Sequence, residues 1–294
     1  MKSPIVIFGF NRPERFRIMT ESLRANKGWN ERDIYVYVDG ARTEEERAKV
    51  AEVEAIARTL TDNVAASSVN KGLAESIIGG VTEVVDRYGA VIVLEDDLVL
   101  QPRFLEFMDQ ALSVYREDER IMSVCGYGLK IKRPEGYAGD VYLSRRSSSW
   151  GWATWADRWH TVDWNVSDWE DLSRDKAKQR AFNRGGSDLY SMLRDYMNGR
   201  NRSWAIRFCY SQFVQGKWSV HPFRSLVLNE GYGADATNCK QTYSRFKIDP
   251  ENRPDGDFLM PVGIEPHSHI LKENARYHGL VLRVYSRIRR LFGI

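Results

Sequence analysis

The sequence predicts an α/β fold with a mostly parallel central sheet that helices cover on both faces. Three apolar runs, residues 5–10, 34–38 and 91–94, each end in polar residues, and the segments between them are long enough for helices. Parallel strands need crossover connections of a dozen or more residues, which such helices supply. Because ligands of these sheets bind at the carboxyl ends of the strands, the residues that follow the runs are the first functional candidates.

The segments between the runs carry helix signals. Pro13 suits a first helical turn, and Thr43 with Glu46 has the spacing of a capping box. Asn70-Lys71-Gly72 precedes a helix that we expect to extend to about Tyr88. Three parts are therefore expected: a regular half over residues 1–125, an α+β half of the same domain over 126–250, and a Pro-rich loop with a basic tail over 251–294.

Composition excludes several classes of protein. Of 294 residues, 43% are hydrophobic, enough to build a core, so disorder is excluded as a class. The 43 Lys and Arg against 40 Asp and Glu leave a net charge of +3, too small to favour a nucleic-acid partner. The cysteines, Cys125, Cys209 and Cys239, include no close pair, which argues against a disulfide scaffold or a zinc site. With no signal-peptide pattern and no long apolar stretch, we expect a cytoplasmic protein.

The basic tail has two interpretations. Residues 276–294 contain five arginines and no acid, with Leu280, Val284, Ile288 and Leu291 at helical spacing. A basic amphipathic helix of this kind can lie on an anionic membrane, giving a peripheral membrane contact. Alternatively, it docks on the domain and leaves a basic face in solvent.

Three adjacent carboxylates follow the run at 91–94. Glu95, Asp96 and Asp97 repel one another at the end of an apolar strand, so a cation or a set of donors should neutralise them. Mn²⁺ or Mg²⁺ suits such oxygen ligands and takes only one or two protein carboxylates when substrate phosphates supply other ligands. The alternative is an exposed acidic turn before a helix near Pro102.

The order of these motifs resembles one enzyme class. An N-terminal IVIFGFNRP, a VDG after the second strand, an NKG before the third helix and VLEDD together resemble GT-A nucleotide-sugar glycosyltransferases, family 2-like. They are also similar to the N-acetylglucosaminyltransferase I class, which has an EDD form of the DxD motif. The second half carries the resemblance further, with SWGW at 149–152, FNRGGSDL at 182–189 and SWAIRF at 203–208.

The resemblance implies roles for particular residues. Asp97 would bind the metal ion directly, while Glu95 and Asp96 would hold ribose, sugar hydroxyls or metal-bound water. The other residues implied to contact the nucleotide sugar are Asn11, Arg12, Asp39, Lys71 and Gly72. Asp39-Gly40 is also an ordinary turn pair, and Asn70-x-Gly72 an ordinary helix entry.

Transfer with inversion needs a carboxylate base, which should come from the second half of the chain. The related pattern directs attention to SWAIRF, but residues 196–234 contain no Asp and only one Glu, Glu230. Asp188, before a predicted helix, is therefore the first candidate for the base and Asp235 the second. Asp188 is also suited to an early helix position, where the dipole favours an acid.

Aromatic and basic residues of the second half are candidates for the acceptor side. The resemblance places Trp150, Gly151 and Trp152 there, although Trp152, Trp155 and Trp159 at helical spacing also fit a buried stripe. Arg145 and Arg146 are candidates for binding a diphosphate or an anionic acceptor. His267 and His269, which share a face if extended, are weaker candidates for metal ligands.

The sequence as a whole predicts a metal-dependent glycosyltransferase. It would transfer a sugar from a nucleotide diphosphate donor to a hydroxyl of a glycan or lipid-linked glycan, with inversion, in surface polysaccharide or lipopolysaccharide synthesis. One alternative is a sugar-phosphate nucleotidyltransferase, although Gly9 alone is a poor triphosphate loop. The other is a degenerate nucleotide-sugar-binding protein that has lost its base.

Overall fold

The structure is a computed structural model that describes residues 2–230, 246 and 257–292. Its strands are β1 (Ile5–Gly9), β2 (Ile34–Val38), β3 (Val64–Ala66), β4 (Ala90–Glu95), β5 (Leu98–Leu100), β6 (Ile121–Cys125), β7 (Val141–Ser144), β8 (Trp152–Trp155), β9 (Trp218–Pro222) and β10 (Val227–Asn229). Its α-helices are α1 (Pro13–Arg24), α2 (Glu44–Arg58), α3 (Leu73–Tyr88), α4 (Phe104–Val114), α5 (Ala156–Trp159), α6 (Trp169–Arg174), α7 (Lys176–Phe182), α8 (Leu189–Met197), α9 (Trp204–Val214), α10 (Ser268–Tyr277) and α11 (Leu280–Phe292).

Eight strands form one sheet in the order β3-β2-β1-β4-β8-β6-β9-β7. The first four in this order are mutually parallel, and β8 and β7 run antiparallel to their neighbours. β5 and β10 make a separate antiparallel pair beside it. The predicted α/β fold with a mostly parallel sheet is confirmed, and the sheet runs continuously from the first half of the chain into the second.

Alternating side chains of the central strands build a core on each face of the sheet. In β1, Ile5 and Ile7 pack with α1, α2 and α4, whereas Val6 and Phe8 pack on the opposite face with α3 and α9. Both faces are apolar because each is covered by helices, as expected for parallel strands. Because β2, β1 and β4 are parallel neighbours, their carboxyl ends meet at one edge of the sheet.

Two local predictions are wrong. Trp152 and Trp155 lie in strand β8, so they point to opposite faces and only Trp159 is helical. All three are buried, as predicted, but their spacing of three and four residues does not mark a helix here. The capping box also does not form, because the Glu46 carboxylate accepts hydrogen bonds from Arg42 and Asn11 rather than from Thr43.

The C-terminal helices differ in how they contact the domain. α10 buries Ile270 and Asn274, and the Asn274 amide donates to the Ser144 hydroxyl in β7. α11 follows it and carries several exposed apolar side chains. Among the residues that the structure describes, no helix has the length and apolar content to cross a membrane.

Candidate functional site

The acidic motif opens onto a cavity at the carboxyl edge of the sheet. β4 ends at Glu95, and this cavity of about 210 Å³, hereafter the donor cavity, is walled by residues that follow β1, β2 and β4 and by the start of α3. Of the predicted donor residues, Asn11, Arg12, Asp39, Gly72, Glu95, Asp96 and Asp97 all line it. Lys71 instead lines a neighbouring cleft together with Asp39 and Glu75.

Burial raises the pKa of all three motif carboxyls, and repulsion from neighbouring carboxylates adds to the rise at Glu95 and Asp96. Burial is the main cause at each position, and for Glu95 the neighbouring Asp97 and Asp96 add to it, so its pKa lies well above its usual value. The pKa of Asp96 rises to about 7 because of burial and the charge of Asp97. For Asp97 the rise in pKa is partly offset by Arg12. These groups are costly as a cluster of anions, so a cation that binds them is strongly favoured.

Arg12 is the cation nearest to the motif among the described residues. Its Nη1 lies 3.4 Å from Asp97 Oδ2 and 3.9 Å from Asp96 Oδ1. Arg12 immediately precedes α1, and β1 pairs with β4, so the fold brings the ends of these two strands together. One guanidinium against three carboxyl groups leaves the cluster with room for further positive charge.

Asp97 has a second partner from a distant part of the chain. Asn229, at the end of β10, donates its amide to Asp97 Oδ1 at 3.2 Å, and the backbone amide of Glu230 donates to the Asp97 carbonyl at 2.9 Å. The pairing of β10 with β5, directly after the motif, positions both residues. Glu230 in turn pairs with Arg15 of α1 at 2.6 Å.

The donor atoms of this site fit a hard divalent cation. They are carboxylate oxygens at a concave surface, which Mn²⁺ and Mg²⁺ prefer. Within residues 2–230, 246 and 257–292, no three His, Cys, Asp or Glu side chains form a ligand cluster. The fit is therefore to an ion held by one or two protein carboxylates, with the remaining positions taken by substrate and water.

Asp39 organises the opposite wall of the donor cavity. Its carboxylate accepts backbone hydrogen bonds from Gly40 at 3.0 Å, Lys71 at 2.8 Å and Gly72 at 2.9 Å. These bonds link the end of β2 to the start of α3. Gly72 has φ +81° and ψ 154°, a backbone conformation that favours glycine.

Asn11 is held by a small polar network. Its amide donates to Glu46 Oε1 at 2.8 Å, and Glu46 also pairs with Arg42. The Arg42 guanidinium lies over the Phe10 ring, 4.9 Å from its centroid. Arg42 and Phe10 both line the donor cavity, so this network forms part of its wall.

A second cavity of about 300 Å³, hereafter the acceptor-side cavity, adjoins the motif. Ser149 lines it, and its hydroxyl partly offsets the raised pKa of Glu95, so the two cavities adjoin at this pair. Trp150 lines it too, with its ring edge-to-face on Tyr127 at a centroid distance of 4.6 Å. Trp150 therefore lies where it could contact an acceptor, which stays a prediction.

The other two predicted acceptor residues lie differently. Trp152 is fully buried and stacks on Trp204, with ring centroids 4.9 Å apart, so its side chain has no surface for an acceptor. Assigning it to the acceptor side was wrong, because β8 turns it into the core. Gly151 has φ +58°, and an added Cβ would lie 2.9 Å from Val227, so it serves close packing.

Asp188 forms an ion pair behind the acceptor-side cavity. Its Oδ1 accepts from Arg146 Nη1 at 2.7 Å and its Oδ2 from Nη2 at 3.3 Å. Burial raises the pKa of Asp188, but Arg146 outweighs it and holds this pKa below its usual value. Arg146 lines the cavity, whereas Asp188 does not. Asp235, the second predicted base, lies outside the described residues.

Several contributors to the site were missed in the sequence. Ser149 begins the SWGW motif and Asn229 ends β10, but nothing in their spacing along the chain indicated that they lie close to Glu95 and Asp97. Glu46 was interpreted as a cap. His267 and His269 do not share an extended face, because α10 begins between them, and the His267 ring packs on Tyr137.

Two comparisons with known proteins bear on the family and the fold of the chain. Residues 81–200, which include the acidic motif, Trp150 and Asp188, match the sequence model of the GNT-I family. The solved structure of GalNAc-T7 with UDP, GalNAc and Mn²⁺ is similar with a TM-score of 0.50 and 10% identity. That match covers 77% of this chain and 43% of GalNAc-T7, so the chain spans less than half of it. No curated protein matches the chain in sequence.

These findings confirm the predicted GT-A fold and the similarity to the GNT-I class. The match to the GNT-I family over residues 81–200 is in line with the predicted glycosyltransferase class.

Proposed function

We propose that the chain is a metal-dependent glycosyltransferase that moves a sugar from a nucleoside diphosphate to a hydroxyl group of a glycan acceptor. The observation that carries this proposal is the partly buried Glu95-Asp96-Asp97 cluster, which lies where the two cavities adjoin. A donor with an anionic diphosphate and an acceptor with a neutral hydroxyl need such a pair of adjoining sites.

The donor cavity provides groups for the nucleotide and its phosphates. Arg12 and the start of α3 supply positive charge and backbone donors near the motif. We propose Asp97 as the direct metal ligand, with Glu95 and Asp96 toward the sugar. When bound, a divalent cation would neutralise charge on the departing diphosphate.

On the acceptor side, the residues present are suited to binding rather than to proton removal. Ser149 and Trp150 offer a hydroxyl and an aromatic face, which suit a sugar ring. No Asp or Glu lines this cavity among the described residues. Inversion and the role of Asp188 or Asp235 as base stay predictions, as does synthesis of a surface polysaccharide or lipopolysaccharide.

That lack of a cavity-lining carboxylate favours a second candidate, a protein that binds nucleotide sugars without transferring them. Both functions use the same donor cavity, and they differ in turnover. The sugar-phosphate nucleotidyltransferase alternative gains no support from the site geometry.

The test is thermal stabilisation and donor hydrolysis with UDP-, GDP-, dTDP- and CMP-sugars, each with Mn²⁺, Mg²⁺ or EDTA. We expect one nucleotide class to stabilise the wild-type protein only with metal and to be hydrolysed slowly. Asp97→Asn should abolish both effects, whereas Asp62→Asn, which changes an exposed acid, should leave them intact. Metal-dependent binding without hydrolysis or transfer would support the second candidate, and no binding would contradict both.

A further inference from the structure

Helix α11 exposes a stripe of apolar side chains that no other described residue buries. Leu280 is 64% and Val281 81% exposed, and the stripe continues through Val284, Tyr285 and Ile288, which are all about half exposed. At about 100° per residue, these five side chains fall within an arc of about 140° on one side of the helix. Ser286, on the other side, is buried and donates to the Leu282 carbonyl.

The charge of this segment is entirely basic. Residues 276–294 contain five arginines and no Asp or Glu. An apolar stripe within a basic helix is complementary to an anionic lipid surface, which offers both an acyl boundary and negative headgroups. A protein partner would instead need an apolar strip flanked by negative charges to match this helix.

The stripe begins next to the acceptor-side cavity. His278, at the end of α10, lines that cavity, and Leu280 follows two residues later, a chain distance of at most about 7 Å. From α11, Arg283 reaches back to Ser187 at 3.4 Å, beside the Arg146–Asp188 pair. A surface that takes up the stripe therefore lies close to the cavity wall.

We propose that α11 docks on the surface of an anionic bilayer and so holds the acceptor-side cavity beside the lipid. If α11 docks in this way, the acceptor is a glycan carried by a membrane lipid, and this consequence rests on the proposed function. The docking itself needs neither donor nor metal.

The experiment is co-sedimentation of the full chain with phosphatidylcholine vesicles and with vesicles of equal parts phosphatidylcholine and phosphatidylglycerol. We expect binding to the anionic vesicles that weakens as KCl is raised, because salt screens the arginines. The triple variant Val281→Ser/Tyr285→Ser/Ile288→Ser should reduce the partition coefficient about tenfold or more. Val262→Ser, an exposed apolar residue outside α11, is the matched control and should bind as the wild type.

Three outcomes would overturn the proposal. They are no binding to anionic vesicles, equal binding by the triple variant and the wild type, or a wild-type protein that is a dimer without lipid while the triple variant is a monomer. Circular dichroism of the variant checks that its fold is intact. Donor hydrolysis in lipid-free solution is a separate readout of the proposed function. Loss of vesicle binding with normal hydrolysis rejects the docking alone, and normal docking without any donor binding rejects the enzyme alone.

Discussion

Arg12 Nη1 lies 3.4 Å from Asp97 Oδ2, which sets a cation from the start of α1 against the acid cluster at the end of β4. Strands β1 and β4 are parallel neighbours, so their carboxyl ends, and the residues that follow, must meet. The guanidinium compensates part of the charge that burial makes costly. The Arg12–Asp97 pair therefore neutralises only part of the negative charge of the acidic motif.

Arg12→Gln should destabilise the metal-free protein more at pH 8 than at pH 5. Without the guanidinium the motif carboxyls lose their compensating charge, and more of them ionise as pH rises, so we expect a loss of about 1–2 kcal/mol at pH 8. At pH 5 most of this cost is absent because the carboxyls with raised pKa bind protons. Thermal unfolding in EDTA measures the effect, and Arg47→Gln, on an exposed helix position, is the control. An equal loss at both pH values would contradict this explanation.

Asp96→Asn should stabilise the metal-free protein at neutral pH. The pKa of Asp96 is about 7 in the folded state and near 4 in the unfolded chain, so the folded state binds more protons between these values. Wild-type stability therefore falls as pH rises from about 4 to about 7 and levels off above. The melting temperature of Asp96→Asn minus that of wild type, measured in EDTA, should grow across this interval. A difference that does not depend on pH would show that Asp96 titrates normally.

Gly72→Ala should lower stability by about 1–2 kcal/mol through backbone strain, since the residue has φ +81°. An added Cβ meets no atom within 4 Å, so steric overlap is not the cause. Gly79→Ala is the matched control: it also has open space, lies within helix α3, and should stabilise by about 0.5–1 kcal/mol. Chemical denaturation measures both. The same change in unfolding free energy for Gly72→Ala and Gly79→Ala would contradict the strain argument.

Trp150→Ala and Trp152→Ala should differ in kind. Trp152 is fully buried among aromatic rings, so its truncation should cost about 3–5 kcal/mol of folding stability. Trp150 lines the acceptor-side cavity, so its truncation should raise the KM for the acceptor and leave metal-dependent donor hydrolysis near the wild-type rate. Thermal unfolding and steady-state kinetics separate the two. Normal acceptor KM in a folded Trp150→Ala protein would remove it from the acceptor site.

Chain order predicted seven residues that line the donor cavity, whereas Lys71 lies in a neighbouring cleft. Asn11, Asp39 and the acidic motif each follow a buried strand, and parallel strands bring such positions together. Contacts across the domain carry no such signal. Asn229 reaches Asp97 through β10 pairing, and Ser149 reaches Glu95 through the loop before β8, neither of which spacing along the chain encodes.

The aromatic segment shows the limit of periodicity. Trp152, Trp155 and Trp159 are spaced as on a helix, yet Trp152 and Trp155 lie in β8 and face opposite cores. A strand that is buried on both faces has no polar positions to reveal its period of two. Burial was predictable from residue type, but which side chain faces the cavity was not.

Asp188→Asn separates a positioning role from a catalytic one. Asp188 is paired with Arg146, which holds its pKa low, and it lies behind the cavity lining, so we expect it to orient Arg146. The variant should raise the KM for the acceptor several-fold, with kcat changed little and the pH profile of kcat unchanged. Arg146→Gln should have a similar effect, because the pair acts as a unit. If Asp188 were instead the base, kcat for transfer would fall by about 10²–10⁴ with normal donor binding, and the acidic limb of the pH profile would disappear.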